Sequence, residues 1–219
     1  MTGPLVLLGS ELGPHTSAAA IAHLREPAVV LPTASAFEHP HRLAATVIDW
    51  LAAHDVAAIE VAVLNRRDTA VAELIGAVAS AATIVVTGGT AMHARSVFKE
   101  TPLWNALVDA HRGGAAVIAS GAGATVLADP MADSRGGGLT LGLGLLGPVA
   151  VMAGSAGWPV PQIKRMRQLA GERVVVATIG DAGALIYDGS TWTSVGDVEL
   201  HRGGATVDLS ALPPPASRE

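Results

Sequence analysis

The stretch VIASGAGATVLADPM, residues 117–131, runs from apolar residues through a turn of small residues into the start of a helix. That is the shape of a nucleophile elbow, where a hydrolase presents Ser or Cys on a strained strand-to-helix turn. In small-x-nucleophile-x-small spacing, Ala119 and Gly123 are the small residues and Gly121 takes the reacting position. Glycine adopts the strained conformation of an elbow tip at lower cost than Ser. The turn can therefore persist without its hydroxyl. Ser120 stands one residue early. Successive side chains on a strand point to opposite faces, so Ser120 is not expected to reach the same site. Ser155, in AGSAGW, repeats the small-x-Ser-x-Gly spacing after another apolar run. It reads either as an exposed hydroxyl or as an ordinary Ser in a Gly-rich turn.

Other segments supply complementary chemistry. VVTGGTAMH ends an apolar run with Gly88, Gly89 and Thr90. Such a loop can aim backbone N–H groups, together with that of Ala122, at an anion or oxyanion. It also serves as a plain tight turn. His93 follows this loop and is the candidate base. His15, His39 and His41 also fall beside strand-end loops. Glu11, in GSELG, is placed to meet a substrate amine. EHPH offers Glu38, His39 and His41, but its spacing is weak for a metal and no Cys completes a zinc set. No metal and no cofactor are expected. KRMRQ places Lys164, Arg165 and Arg167 on a short helix, as a carboxylate partner or a solvated face.

Composition narrows the function classes. The net charge of −5 and only 3% aromatics give neither a basic patch nor a stacking platform, so no nucleic-acid partner is expected. Half of the residues are hydrophobic, yet no uninterrupted run reaches the roughly 18 residues of a membrane span. The first residues lack a basic n-region and read as a strand, not a signal peptide. With no Cys, disulfides, thiolate metal sites and a Cys nucleophile are excluded. A cytoplasmic location is expected. The small-residue content is compatible with close packing in a homodimer.

These residues need a scaffold. Apolar runs at 5–9, 28–32, 58–64, 83–87, 115–119, 149–153 and 173–179 predict strands, with two more at 184–187 and 192–195. Helices are predicted over 16–24, 41–54, 69–81, 90–98, 102–112, 122–129 and 161–170. Continuously apolar strands alternating with helices predict a doubly wound, mostly parallel α/β sheet, a three-layer sandwich. Asp188-Gly189 marks the turn of a C-terminal β-hairpin. One domain is expected over 1–210, with a flexible Pro-rich tail at 211–219. Ligands in such sheets lie at the carboxyl ends of the strands, where GSELG, PTASAFEH, VTGGTAMH and ASGAGA all fall.

The motifs in order resemble the serine peptidase family of dipeptidase E and cyanophycinase, whose fold is similar to class I glutamine amidotransferases. VVLPTAS resembles its second strand and Pro-Thr-Ala-Ser turn. VVTGGTAMHARSVFKETPLWNAL resembles its Gly-Gly loop and following helices. GGAAVIASGAGATVLADPM resembles the segment that reads Gly-Thr-Ser-Ala-Gly-Ala in active members. LTLGLGLLGPVAV resembles the Gly-Leu-Gly-Leu run before the histidine strand, and IGDAGALIYDGSTWTSVG the late hairpin. The resemblance covers residues 4–200. It implies a peptidase acting on acidic or β-aspartyl peptides.

The departures fall on the chemistry. Gly121 occupies the place of the family's Ser, and VAVMAGSAGWPVPQIKRM has no His where the family has one. Thr90-Ala91 replaces a polar pair, and Gly180-Asp181 a late Asp-Glu pair. The chain therefore reads as a catalytically degenerate homologue, a pseudoenzyme that binds a small acidic peptide or anion at the old active site. The alternative is an active serine hydrolase with a relocated nucleophile, Ser120 or Ser155, and His93 as base. A third option is a purely structural or interaction module.

Overall fold

Leu, Val, Ile and Ala in short uninterrupted runs favour strands buried on both faces, and Ala-rich segments between them favour covering helices. The structure, a computed structural model, describes residues 2–14, 16 and 18–215. Its first part contains β1 (Leu5–Leu8), α1 (Ala18–Ile21), β2 (Ala28–Leu31), α2 (Pro40–Ala52), β3 (Ala58–Glu60), α3 (Ala72–Ser80), β4 (Thr83–Val86), α4 (Ala91–Phe98), α5 (Pro102–Arg112), β5 (Ala116–Ser120) and α6 (Ala122–Leu127). The second part contains β6 (Met131–Asp133), β7 (Gly138–Thr140), β8 (Val149–Ala153), α7 (Val160–Ala170), β9 (Val175–Ile179), β10 (Ala184–Tyr187), β11 (Trp192–Val195), β12 (Val198–Arg202) and β13 (Ala205–Thr206).

The central sheet has the order β11-β10-β1-β5-β4-β2-β3. β1, β5, β4, β2 and β3 are parallel, and the β10–β11 hairpin adds antiparallel to β1. Strand alternation divides the core. Leu5, Leu7, Val29, Leu31, Ile84, Val86, Val117 and Ala119 pack with α3 to α6 on one face. Val6, Leu8, Val30, Val85 and Ile118 pack with α1 and α2 on the other. This is the doubly wound, mostly parallel α/β sheet expected from the alternation.

A second sheet, β13-β12-β9-β8, stands apart from the first. Its parallel pair β8–β9 shares the first core through Val149, Val151, Val175 and Ala177, and its other face packs on Met166 of α7. Between α6 and β8, residues 131–140 form the antiparallel β6–β7 hairpin.

Several expected elements are shorter, three of them for clear local reasons. The strand over 58–64 ends at Glu60; beyond it Thr33 Oγ1 donates to the Val63 carbonyl at 2.7 Å and draws the chain out of the sheet. The helix over 69–81 splits into a 3₁₀ turn, Asp68–Ala70, and α3, because Val71 is extended. Among the described residues of 16–24, the helix is α1, after which His23 and Leu24 donate to carbonyls three residues back.

The Pro-rich tail, expected to be loose from 211, is docked at its start. Leu212 is buried, and Trp192 Nε1 donates to the Pro213 carbonyl at 2.9 Å. Residues 216–219 lie outside the described residues, as does His15. Among the described residues, no helix is long and apolar enough to cross a membrane.

Candidate active site

The carboxyl ends of β1, β2, β4 and β5 lie along one edge of the central sheet, with Leu8 opposite Ser120 and Val86 opposite Ala119. The Pro-Thr-Ala-Ser turn after β2 is a platform. Ser35 Oγ donates to the Pro32 carbonyl at 2.9 Å, and the Ala34 carbonyl accepts the Thr90 N–H at 2.7 Å. This fixes the Gly-Gly loop. Gly89 has φ +131°, and a Cβ there would collide with the Ala34 carbonyl, so glycine is required by backbone and space together.

The elbow backbone is present. Gly121 has φ +50° and ψ −121°, a combination that costs an L side chain of order 1–3 kcal/mol. Its N–H donates to the Leu8 carbonyl at 3.0 Å, and its carbonyl accepts the Thr125 N–H at 3.1 Å. A Cβ at Gly121 would meet only Gly88 Cα, at 3.6 Å, so there is room for a side chain. At Gly123 there is none: a Cβ would stand 2.5 Å from the Val86 carbonyl oxygen. The Gly-Leu-Gly-Leu run clamps the other end of α6. Leu143 N–H donates to the Val126 carbonyl, Leu145 N–H to the Leu127 carbonyl, and Gly142 N–H to Asp129 Oδ1 at 2.9 Å.

Beside the elbow is a cavity of about 420 Å³, lined by Gly89, Thr90, Met92, Ala122, Thr125, Ser134 and Trp158. Among the described residues, neither the Gly89 nor the Ala122 N–H has an acceptor. Asp133 and Arg135 complete the lining as an ion pair, with Nη2 to Oδ2 at 2.8 Å and Nε to Oδ1 at 3.0 Å. Arg135 holds the Asp133 carboxyl below the usual range. The Trp158 indole donates to the Ala153 carbonyl at 3.2 Å. A larger depression, about 890 Å³, lies between α3 and α5 at the opposite end of the strands and carries no acid–base pair.

The expected site residues do not all converge. Gly89, Thr90 and Ala122 line the cavity. Gly88 does not offer its N–H to a ligand, because Glu11 Oε1 accepts it at 2.5 Å. The other Glu11 oxygen, Oε2, accepts the Ser120 hydroxyl at 2.6 Å. Burial raises the Glu11 pKa, opposed by these two hydrogen bonds. Ser120 is 1% exposed, and α6 packs on the opposite face of the sheet. His93 binds the Leu64 carbonyl through Nε2 at 2.9 Å and packs edge-on to Phe37, with neither Ser120 nor Ser155 as a partner. Ser155 opens a 3₁₀ turn, Ser155–Gly157, rather than an elbow.

The remaining polar motifs are used elsewhere. His41 Nδ1 pairs with Glu60 at 2.7 Å, and no cluster of three metal-ligating side chains occurs among the described residues. Arg167, from KRMRQ, pairs with Glu199 of β12 at 2.9 Å. The Asp181 carbonyl accepts the Ser10 hydroxyl at 2.7 Å. Sequence reasoning missed the Glu11–Ser120 contact, the Trp158 wall and the Asp133–Arg135 pair. Only the placement of Ser120 on the face opposite the elbow helix had a signal in strand alternation.

Two solved structures share this architecture. A peptidase from an acI-B1 Actinobacterium matches with a TM-score of 0.80 at 24% identity, over 99% of this chain and 96% of that one. A protein inferred to be a peptidase E from Listeria monocytogenes EGD-e matches with a TM-score of 0.68 at 16% identity, over 89% of this chain and 98% of that one. At these identities the likeness establishes the fold. No curated protein matches the chain. The sequence pattern of peptidase family S51 matches residues 17–139, more than half of the chain, including the Pro-Thr-Ala-Ser turn, the Gly-Gly loop and the elbow. The chain belongs to peptidase family S51.

Proposed function

We propose that the chain is a catalytically silent member of its family that holds a small carboxylate ligand, such as an acidic dipeptide, in the elbow cavity. The observation that carries this is Gly121, which keeps the elbow backbone with no side chain at its tip. Serine-type acyl transfer needs an attacking hydroxyl and a base in hydrogen-bond contact. Among the described residues, no His lines the cavity. Losing the nucleophile or the base costs on the order of 10⁶ in kcat.

What remains suits binding. The Gly89 and Ala122 N–H groups are available to a carboxylate oxygen, and the Thr90 hydroxyl and Arg135 guanidinium are further donors in the lining. A chain without Cys suits a reducing cytoplasm. Calorimetric titration with L-aspartyl-L-alanine, paired with an amine-release assay, tests the proposal. Saturable binding without release of free amino acid is expected. Turnover that disappears on replacing Ser120 or Ser155 would refute it.

A further inference from the structure

Glu11 is a half-buried titratable group in contact with Ser120, the residue before the elbow tip, and the binding reading above gives it no task. Its surroundings assign one. The β4–β5 ladder ends at Val86 opposite Ala119. Beyond that point the two loops diverge in their attachments. Thr87 N–H donates to the Leu31 carbonyl and Thr90 N–H to the Ala34 carbonyl, both on the β2 side. Gly121 N–H donates to the Leu8 carbonyl, on the β1 side. Among the described residues, no backbone hydrogen bond joins residues 87–90 to residues 120–122.

One side chain spans the gap. Glu11, carried by the loop after β1, accepts the Gly88 N–H with Oε1 at 2.5 Å and the Ser120 hydroxyl with Oε2 at 2.6 Å. Gly88 directly precedes Gly89, and Ser120 stands two residues before Ala122; Gly89 and Ala122 both line the cavity. A Cβ at Gly88 would collide with Glu11 Oε1, so glycine there admits the carboxylate.

We propose that Glu11 is the positioning residue of the site: its carboxylate ties the Gly88 N–H to the Ser120 hydroxyl and so sets the spacing of the Gly89 and Ala122 N–H groups for a ligand carboxylate oxygen. This rests on the binding reading, and it gives Ser120 a task other than nucleophile. Gln can remake both contacts. Its carbonyl oxygen accepts the Gly88 N–H, and its amide N–H₂ donates to Ser120 Oγ, which can accept as well as donate.

The test combines two measurements on the full chain. Amide hydrogen exchange at Gly88, Gly89 and Ala122 is read by NMR, and the Kd for L-aspartyl-L-alanine is read by titration. Glu11→Ala is expected to speed Gly88 exchange roughly tenfold or more and to weaken binding about as much. Glu11→Gln is expected to stay within about threefold of the parent in both, a rescue that a general loss of stability would not produce. Should Glu11→Ala fail to fold, Ser120→Ala removes one arm of the bridge and is expected to weaken binding about threefold. Wild-type binding that folded Glu11→Ala, or else Ser120→Ala, fully retains overturns the inference and leaves the binding reading standing. If the wild type does not bind the dipeptide, the binding reading fails. The bridge is then judged on exchange alone, and unchanged Gly88 exchange in the variant overturns it.

Discussion

Two turns in this molecule follow fully buried strands and begin with a positive-φ glycine, and they differ in what comes next. After β5, Gly121 has φ +50° and ψ −121° and leads into α6, whose residues from Gly123 to Leu127 are all buried. After β8, Gly154 has φ +66° and ψ +40°, a left-handed conformation, and leads into a 3₁₀ turn with no buried residue. The first turn has the elbow geometry without a hydroxyl; the second has Ser155 without the geometry. Small-x-Ser-x-Gly spelling is therefore not enough. An elbow also needs a helix that can approach the sheet, as Gly123 allows, and a clamp on that helix, as residues 142–146 provide.

The largest test of this contrast adds one methyl group to each turn. Gly123→Ala drives a Cβ into the Val86 and Thr87 carbonyl oxygens at 2.5 and 2.6 Å. Thermal or denaturant unfolding should show a loss of roughly 3 kcal/mol or more, the upper range for overpacking. Gly157→Ala meets nothing within 4 Å and should stay within about 0.5 kcal/mol of the parent. Equal effects would remove the distinction between a supported and an unsupported turn.

Gly121→Ser comes next. The side chain has room, but its backbone conformation should cost about 1–3 kcal/mol in denaturant unfolding. The same variant should release no amino acid from L-aspartyl-L-alanine, because among the described residues no His lines the cavity beside the new hydroxyl.

Titration separates the elbow from the late hairpin. Burial raises the Glu11 pKa despite its hydrogen bonds with Ser120 and Gly88. A raised carboxyl pKa favours the fold below the ordinary carboxyl range, and that contribution is lost as pH rises through the raised value. Relative to Glu11→Gln, which has no such group, the wild-type Tm should fall as pH rises above the ordinary carboxyl range. Asp188 behaves oppositely. The Thr191 and Ser190 N–H groups and the Ser190 hydroxyl hold it down to about 2, so its contribution is present above the ordinary range and lost as pH falls toward that value. Comparing wild type with Asp188→Asn across acid pH should reveal the opposite slope.

The smallest effect belongs to Ser155→Ala. Stability should move by less than about 0.5 kcal/mol, since the residue opens an exposed turn. Dipeptide binding should also be unchanged.

Local signals carried much of this. Continuous apolar runs marked the central strands, Asp188-Gly189 marked the hairpin between β10 and β11, and residue spacing put Gly121 at the elbow tip. Alternation along β5 put Ser120 on the Ile118 face, away from α6. Long-range pairing was not legible. The apolar run of β8 looks like that of any core strand, yet it pairs with β9 in a second sheet. Glu11 and Ser120 are 109 residues apart, and nothing in either segment names the other. The docking of Pro213 likewise depends on Trp192 of β11, a partner 21 residues away.

The measurement that bears most directly on a silent elbow is intact-mass analysis of the folded protein after incubation with a fluorophosphonate. The unmodified mass is predicted, because the elbow tip is Gly121, the Ser120 hydroxyl is buried against Glu11, and Ser155 opens a 3₁₀ turn without elbow geometry. A stoichiometric adduct mapping to Ser120 or Ser155 would contradict that prediction and place an active nucleophile in this chain.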